Sequence, residues 1–469
     1  MALTILFVAW GGGLLLTLGY LRRLSRRLQT PHPLAKPQPK LTPYELEESS
    51  NYAHIDMLHS IPRTPTHTSY AVIGGSGFLG SYIVRLLLLR GETNIRIIDL
   101  HPPAAHLKFD PERVSFVKAD ITSFESIRAA LLEPLPSTGQ PPSVIYHTAA
   151  IIRFWERFSY CWNASYRVNV LGTQNILAVA RELPSAIVIY TSTGDAAIHR
   201  PRFLRLETDP ERNVKKLAIS DYDPPVPRDD LSEGCYTQSK LQAEDLIIAA
   251  NNPSGSLKTG IIRPALNTTQ RFANLSTILG PNDRMITSTL ALPKVPVWDK
   301  VWSSTSICVW DAAASHLHLE DAMRNKPNEA SGQAFLVTGK GPAWTINDVR
   351  LAVKQFAQRK ITLTEVPPLL IFTVAHLVEL FCLIRYYVLL PSYITTDISK
   401  LSLAPKWMGQ LSMVQPTMFD YMVDVVIDDS RARKVLGYQP QWETTQTIRW
   451  AVEEVESGSS GDRHGLELK

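Results

Sequence analysis

The chain has 469 residues, 45% of them hydrophobic, with 48 Lys and Arg against 44 Asp and Glu. That length supports a sizeable core and about two to four domains, and a net charge of only +4, with no basic run interleaved with aromatics, argues against a nucleic-acid surface. The four cysteines, Cys161, Cys235, Cys308 and Cys382, lie far apart with no C-x-x-C, which excludes a dense disulfide frame or a cysteine zinc site and points to isolated thiols in a reducing compartment.

The first 21 residues, MALTILFVAWGGGLLLTLGYL, carry no ionisable side chain except Tyr20. As a helix they span about 31 Å, the thickness of a bilayer's hydrocarbon layer. Arg22, Arg23, Arg26 and Arg27 follow directly. Charge after the apolar run, rather than before it, predicts a transmembrane anchor over residues 1–21 with the rest of the chain in the cytosol. From residue 22 to 68 the chain reads as a linker. Pro31, Pro33, Pro37, Pro39 and Pro43 space out a polar stretch with no apolar period, the composition of a semi-rigid tether.

After Ser69 short apolar runs alternate with amphipathic stretches. The runs are YAVIGG from Tyr70, NIRIIDL from Asn94, VSFVKAD from Val114, SVIYHTA from Ser143, AIVIYTST from Ala186 and TGIIRP from Thr259. Helices are expected to begin near Phe78, Ser123, Trp162 and Tyr236. Continuous apolar strands alternating with helices predict an α/β fold, a doubly wound parallel sheet of the Rossmann type over residues 69–264. A smaller substrate-binding region follows over 265–469. In it, residues 366–390 (VPPLLIFTVAHLVELFCLIRYYVLL) are apolar but contain His376, Glu379 and Arg385. Such charges are expensive at bilayer centre, so the segment reads as a helix in the membrane face rather than a clean span, the alternative being a buried core helix.

The first run ends in GGSGFLG, placing Gly74, Gly77 and Gly80 in a G-x-x-G-x-x-G turn between strand and helix. Gly74 permits the tight turn, Gly77 lets backbone N–H groups approach a pyrophosphate, and Gly80 permits close helix–strand packing. Asp99 closes the second strand, 19 residues after Gly80. A carboxylate there accepts ribose hydroxyls and repels a 2′-phosphate, which favours NAD over NADP. Asp120 ends the third strand, where it can meet an adenine amino group or cap the next helix. Thr191, Ser192 and Thr193 put hydroxyls at the carboxyl end of the fifth strand, where a doubly wound sheet presents its ligands. In EGCYTQSK, Tyr236 and Lys240 are four apart, hence on one helical face. An ammonium beside a phenol favours the phenolate and lowers the tyrosine from its usual pKa of about 10.

Taken together, VIGGSGFLG, VIYHTAA, RVNVLGTQNIL, IYTSTGDAA, YTQSKLQAE, IIRPAL, ILGPND, VWDAAASHL and DDSRARKVLGYQP resemble the extended short-chain dehydrogenase/reductases. Within them the chain is similar to the 3β-hydroxysteroid dehydrogenase and sterol-4α-carboxylate 3-dehydrogenase (decarboxylating) family. The resemblance runs from about Tyr70 to Ala451. It implies Tyr236 as general acid/base, Lys240 as its partner, Thr193 as the catalytic hydroxyl with Ser192 beside it, and a structural Asn169. It implies NAD held by Gly74, Gly77, Phe78, Leu79, Gly80, Asp99, Asp120, Ile121, His147, Ala149, Pro264, Tyr236 and Lys240, and no metal. It further implies an apolar sterol or triterpenoid substrate, an endoplasmic reticulum membrane location and neighbouring membrane-bound pathway enzymes. The competing activities are a dehydrogenase/isomerase or a tailoring dehydrogenase without decarboxylation; a silent dinucleotide sensor is the non-enzymatic alternative. Two departures from the family pattern bear on specificity: about a dozen extra residues near 267–278, and a long charged loop from Arg200 to Ser232.

Overall fold

The computed structural model describes residues 2–35, 41–204, 218–265, 278–281, 284–393 and 404–457. Seven strands make one sheet: β1 (Tyr70–Ile73), β2 (Ile95–Asp99), β3 (Val114–Lys118), β4 (Val144–His147), β5 (Ala186–Thr191), β6 (Leu257–Pro264) and β7 (Ala334–Val337). Their spatial order is β7-β6-β5-β4-β1-β2-β3, and every pairing is parallel. The helices named below are α1 (Ala2–Arg27), α2 (Phe78–Arg90), α3 (Phe124–Leu132), α4 (Gly172–Ala180), α5 (Cys235–Ala250), α6 (Val309–Asn325) and α7 (Pro368–Tyr393).

The strands read as unbroken apolar runs because both faces of the sheet are covered. On one face Tyr70, Val72, Ile97, Tyr146 and Ile189 pack with Ile83 and Leu87 of α2 and Leu317 of α6. On the other, Ala71, Ile73, Ile145, Val188 and Tyr190 pack with Ile127 of α3, Ile176 of α4 and Ile247 of α5. The chain doubles back between β1 and β4, so the carboxyl ends of these strands open the crevice where such sheets take ligands.

Three sequence expectations change. The sheet takes β7 and its cover α6 from beyond Pro264, so the dinucleotide half and the C-terminal half share one core. The proline-rich stretch is a tether only in part. From Thr42 it forms a helix, Pro43–Ser49, closed by a Thr42–Glu45 capping box, and Leu46, Met57 and Ile61 are buried in the body. Tyr52 stacks on Trp442 at 5.8 Å. Pro37, Pro39 and residues 267–277 of the insertion lie outside the described residues, as do 205–217 of the charged loop.

The third change concerns the membrane. The N-terminal span expected from the sequence finds no support: among the described residues, the one helix long and apolar enough to cross a bilayer is Pro368–Leu389. That helix is buried along one stripe, Phe372, Ala375, Val378, Glu379 and Cys382, and exposed along another, Leu370, Leu377, Leu380, Ile384 and Val388. Its one acid is neutralised on the protein side, where Arg157 donates Nε and Nη2 to Glu379, each at 2.7 Å.

Candidate active site

The glycine turn closes on itself. Gly74 has φ +81°, open to glycine at little cost, and a Cβ there would sit 2.6 Å from the Ala149 nitrogen. A Cβ on Gly80 would collide with the Gly74 carbonyl, and Gly77 heads α2 with no side chain over its N-terminal N–H groups. Phe78 and Leu79 form the first turn of that helix. Asp99 stands beside the turn at the end of β2. Its Oδ1 accepts from Leu100 N–H at 2.7 Å and its Oδ2 from Ser76 N–H at 3.2 Å. Burial raises it above the usual carboxylate value, and the backbone donors at His101, Leu100 and Ser76 pull it back. A pyrophosphate cradle next to a strand-end carboxylate is the arrangement that fits an adenine dinucleotide with an unmodified ribose.

Other expected cofactor contacts divide. Ala149 lies against Gly74, and its N–H donates to the Ile73 carbonyl at 3.1 Å. Ile121 is buried against the Cα of Gly172. Pro264 ends β6 in the sheet, in register with Val337. Asp120 is exposed and accepts from Thr122 N–H at 2.9 Å; the cap of α3 is Ser123, so the capping reading of Asp120 is corrected. The His147 imidazole is wholly buried, and its Nε2 hydrogen-bonds with the Thr173 hydroxyl at 2.9 Å. Burial, with the Lys240 charge nearby, lowers its pKa to about 3, so it stays neutral.

The hydroxyl, phenol and amine are all buried. Thr193 follows β5 and caps the short turn Gly194–Ala197, its Oγ1 accepting from Asp195 N–H at 3.3 Å. Thr193 lies near enough to the Tyr236 phenol to favour its ionised form. Tyr236 sits in the first turn of α5, which enters so close to Phe154 that Gly234 has room for no side chain, a Cβ there falling 2.8 Å from the Phe154 carbonyl. Lys240, one turn on, donates Nζ to the Thr191 carbonyl at 2.6 Å and lies 4.1 Å over the Tyr190 ring. Tyr236 and Lys240 are each 2% exposed. The Ser192 hydroxyl is buried without a partner, an orphan polar group open to a ligand.

The electrostatics differ from the sequence expectation. Tyr236 is raised, not lowered: burial dominates, the Asp195 charge adds to it, and only Thr193 opposes. The Lys240 amine faces the Thr191 carbonyl, and burial lowers it to about 7 against the pull of Glu244. Sequence reasoning missed three supports. His316 accepts from the Thr191 hydroxyl at 2.8 Å while its Nδ1–H is fixed on the Ala312 carbonyl. Arg263 clamps Glu244 of α5 through two bonds, at 2.9 and 2.6 Å. Asp195 is buried beside Thr193 and Tyr236. The aspartate in TSTGD was visible in the sequence; its inward direction was not. Asn169 is tied to Ile151 N–H and carbonyl and to Ser239, a structural bridge set in a π-helical turn, Tyr166–Leu171.

This glycine turn, strand-tip hydroxyl and Tyr–Lys pair on a doubly wound sheet define a short-chain dehydrogenase-type protein. A family model described as the 3-beta hydroxysteroid dehydrogenase/isomerase family matches residues 71–360, and the chain belongs to that family. The chain is 31% identical over 201 residues, 42% of its length, to a 3 beta-hydroxysteroid dehydrogenase/Delta 5-->4-isomerase of Monkeypox virus, and spans about half of that protein (51%). It is 26% identical to the decarboxylating sterol-4-alpha-carboxylate 3-dehydrogenase of Candida albicans, covering 59% of this chain and 73% of that protein. Among solved structures it is similar to a UDP-glucose-4-epimerase from Stenotrophomonas maltophila with bound NAD, with a TM-score of 0.58 at 14% identity over 84% of this chain and 100% of that one. At that identity the likeness concerns the fold.

Proposed function

We propose that the protein is an NAD-dependent dehydrogenase that oxidises a ring 3β-hydroxyl on a sterol or triterpenoid, with loss of an adjacent 4-carboxyl as CO₂. The observation that supports this reading is that Tyr236 and Lys240 are buried one turn apart on α5 and Thr193 is buried just past the tip of β5. NAD, when bound, supplies the hydride acceptor and a cationic ring that favours the phenolate. The turn Gly74 to Gly80 and the α2 N-terminus would hold its pyrophosphate, Asp99 its ribose, and Lys240 the nicotinamide ribose. Tyr236 takes the proton of the substrate hydroxyl, and Thr193, with Ser192 beside it, orients the oxygen. Positioned proton transfer of this kind is worth about 10²–10⁴-fold. Where a carboxyl stands on the neighbouring carbon, oxidation gives a β-keto acid, which loses CO₂ through an enol without a dedicated base. The similarity to the Candida sterol-4-alpha-carboxylate enzyme supports this branch; the viral relative, named a dehydrogenase/isomerase, supports oxidation without it.

The exposed apolar stripe of α7, with Trp407 and Leu411 nearby, suits a helix lying in a membrane face, where an apolar substrate would partition. The test is incubation of microsomes holding the protein with NAD and a panel of plain and 4-carboxylated 3β-hydroxy sterols, read by mass spectrometry. Loss of two hydrogens with CO₂ is expected for the carboxylated members. Tyr236→Phe is expected to lose at least about a hundredfold in turnover while keeping its NAD affinity; full turnover by that variant refutes the reading.

A further inference from the structure

The helix α5 starts at Cys235 without a side-chain cap, because the residue before it is Gly234. The first N–H groups of a helix have no partner within it and need one from elsewhere. The loop that leaves β4, residues 153–158, supplies one. The Cys235 N–H donates to the Glu156 carbonyl at 2.6 Å, and the Cys235 thiol lies 3.8 Å from the Phe158 carbonyl. The Phe154 carbonyl lies so close to Gly234 that no Cβ fits between them. Two of these three contacts are backbone on backbone, and they fall on the two residues before Tyr236. No flexible side chain stands between to absorb a shift, so a displacement of the loop passes to the start of α5 and to its phenol.

The loop is held from its other side by α7. Arg157, next to Glu156 in the chain, donates Nε and Nη2 to Glu379, each at 2.7 Å. Its Nη1 lies 3.6 Å from Glu233 Oε2, and Glu233 Oε1 takes Arg200 Nη1 at 2.5 Å. Just beyond the loop, Tyr160 stacks on Tyr386 of α7 at 4.3 Å. One guanidinium thus joins α7 to the loop and to the residue three before Tyr236. Glu379 stands in an otherwise apolar buried stripe, Phe372, Ala375, Val378 and Cys382. An apolar side chain in its place would pack without a partner, whereas a buried carboxylate needs one. What the ion pair adds is geometry: two parallel hydrogen bonds fix a guanidinium in position and in plane, which an apolar contact does not.

We propose that Arg157 is a positioning residue for the reaction: pinned to Glu379 of α7, it holds the 153–158 loop against the entrance of α5 and so sets where the Tyr236 phenol stands. The proposal rests on the dehydrogenase reading above, in which Arg157 acts through the loop and α5 rather than on the reacting atoms. The phenol has to meet the substrate hydroxyl at hydrogen-bond range, and a misplacement of about 1 Å can cost about 10²-fold in rate. The effect falls on kcat rather than on NAD binding, because the glycine turn is built on β1 and α2 and takes part in none of these contacts.

The test uses two variants of the full-length protein. Arg157→Met keeps an unbranched stem and removes the guanidinium; Glu379→Gln keeps the shape of the acid and removes its charge. With NAD and a 3β-hydroxy sterol, each is expected to lose at least about tenfold in kcat, with NAD affinity within about threefold of wild type. Amide hydrogen exchange gives a readout independent of turnover: protection of the Cys235 N–H is expected to fall at least about tenfold in both variants, while the amides of β1 keep theirs. Wild-type kcat in both variants overturns the proposal, as does unchanged exchange at Cys235. A lower Tm with turnover per folded molecule intact also overturns it, since Arg157 would then act on stability alone. Full turnover by Tyr236→Phe overturns the dehydrogenase reading instead, and the exchange at Cys235 still decides whether Arg157 holds the entrance of α5.

Discussion

Asp195→Asn keeps the shape of the side chain and removes its titration. The folded protein holds this carboxyl at about 7 against an ordinary 3.8, chiefly through burial. At 1.36 kcal/mol per pH unit the difference amounts to roughly 4 kcal/mol, an upper bound. The folded state binds this proton more tightly than the unfolded chain. The contribution to stability is therefore complete below about pH 4 and is lost as pH rises through about 7. The wild type carries this loss and the asparagine variant does not. Lys240, lowered to about 7 by burial, contributes a slope of opposite sign, but equally in both proteins. Above neutrality the variant should be the more stable by up to about 4 kcal/mol. At about 1–2 °C per kcal/mol for a chain this long, that is a rise of roughly 4–8 °C in Tm. Scanning calorimetry of both proteins from mildly acidic to mildly alkaline pH provides the measurement. A variant that melts at or below the wild type on the alkaline side, or with the same pH slope, would mean that the carboxylate is ionised and well solvated in the folded protein, and the reasoning fails.

Two further outcomes are expected. Asp99→Asn removes the charge beside the ribose position; two charges about 4 Å apart at the effective dielectric of a protein surface interact by about 4 kcal/mol, so the ratio of NAD to NADP affinity should fall by at least tenfold, and an unchanged ratio in a binding titration would place the carboxylate elsewhere. The pair Leu377→Glu and Ile384→Glu puts charge on the exposed stripe of α7, and flotation of the full chain with lipid vesicles should show about tenfold weaker binding at unchanged Tm; undiminished binding would free that stripe from any role at the membrane.

The sheet was legible because its signal is local. YAVIGG, NIRIIDL and AIVIYTST are apolar on successive residues, which only a strand covered on both faces requires. The glycine turn was equally plain, since Gly74 and Gly80 sit where a Cβ would strike backbone. Tyr236 and Lys240 share a helical face by spacing alone. What spacing could not give was direction across the fold. Lys240 reaches the Thr191 carbonyl because α5 packs against β5, a contact 49 residues apart in the chain. His147 belongs to a strand-end segment that suggests a ligand, yet strand alternation turns its ring toward Thr173 on α4. The contact of the Thr237 hydroxyl with that of Tyr421, at 3.0 Å, depends on a segment 184 residues downstream. The packed part of the proline-rich stretch was hidden by its polar composition, although the Thr42–Glu45 capping box was there to be read.

The donation of β7 to the sheet has a consequence for how the chain is made. During synthesis, β6 leaves the ribosome some seventy residues before its neighbour, Ile261 and Ile262 having to wait for Ala334 and Phe335. Until then an apolar ribbon with free backbone donors and acceptors stands at the rim of the nascent sheet, open to chaperones or to another copy's strand. A fragment ending near Pro264 would retain the entire glycine turn and both catalytic-helix residues and would nonetheless be prone to precipitate.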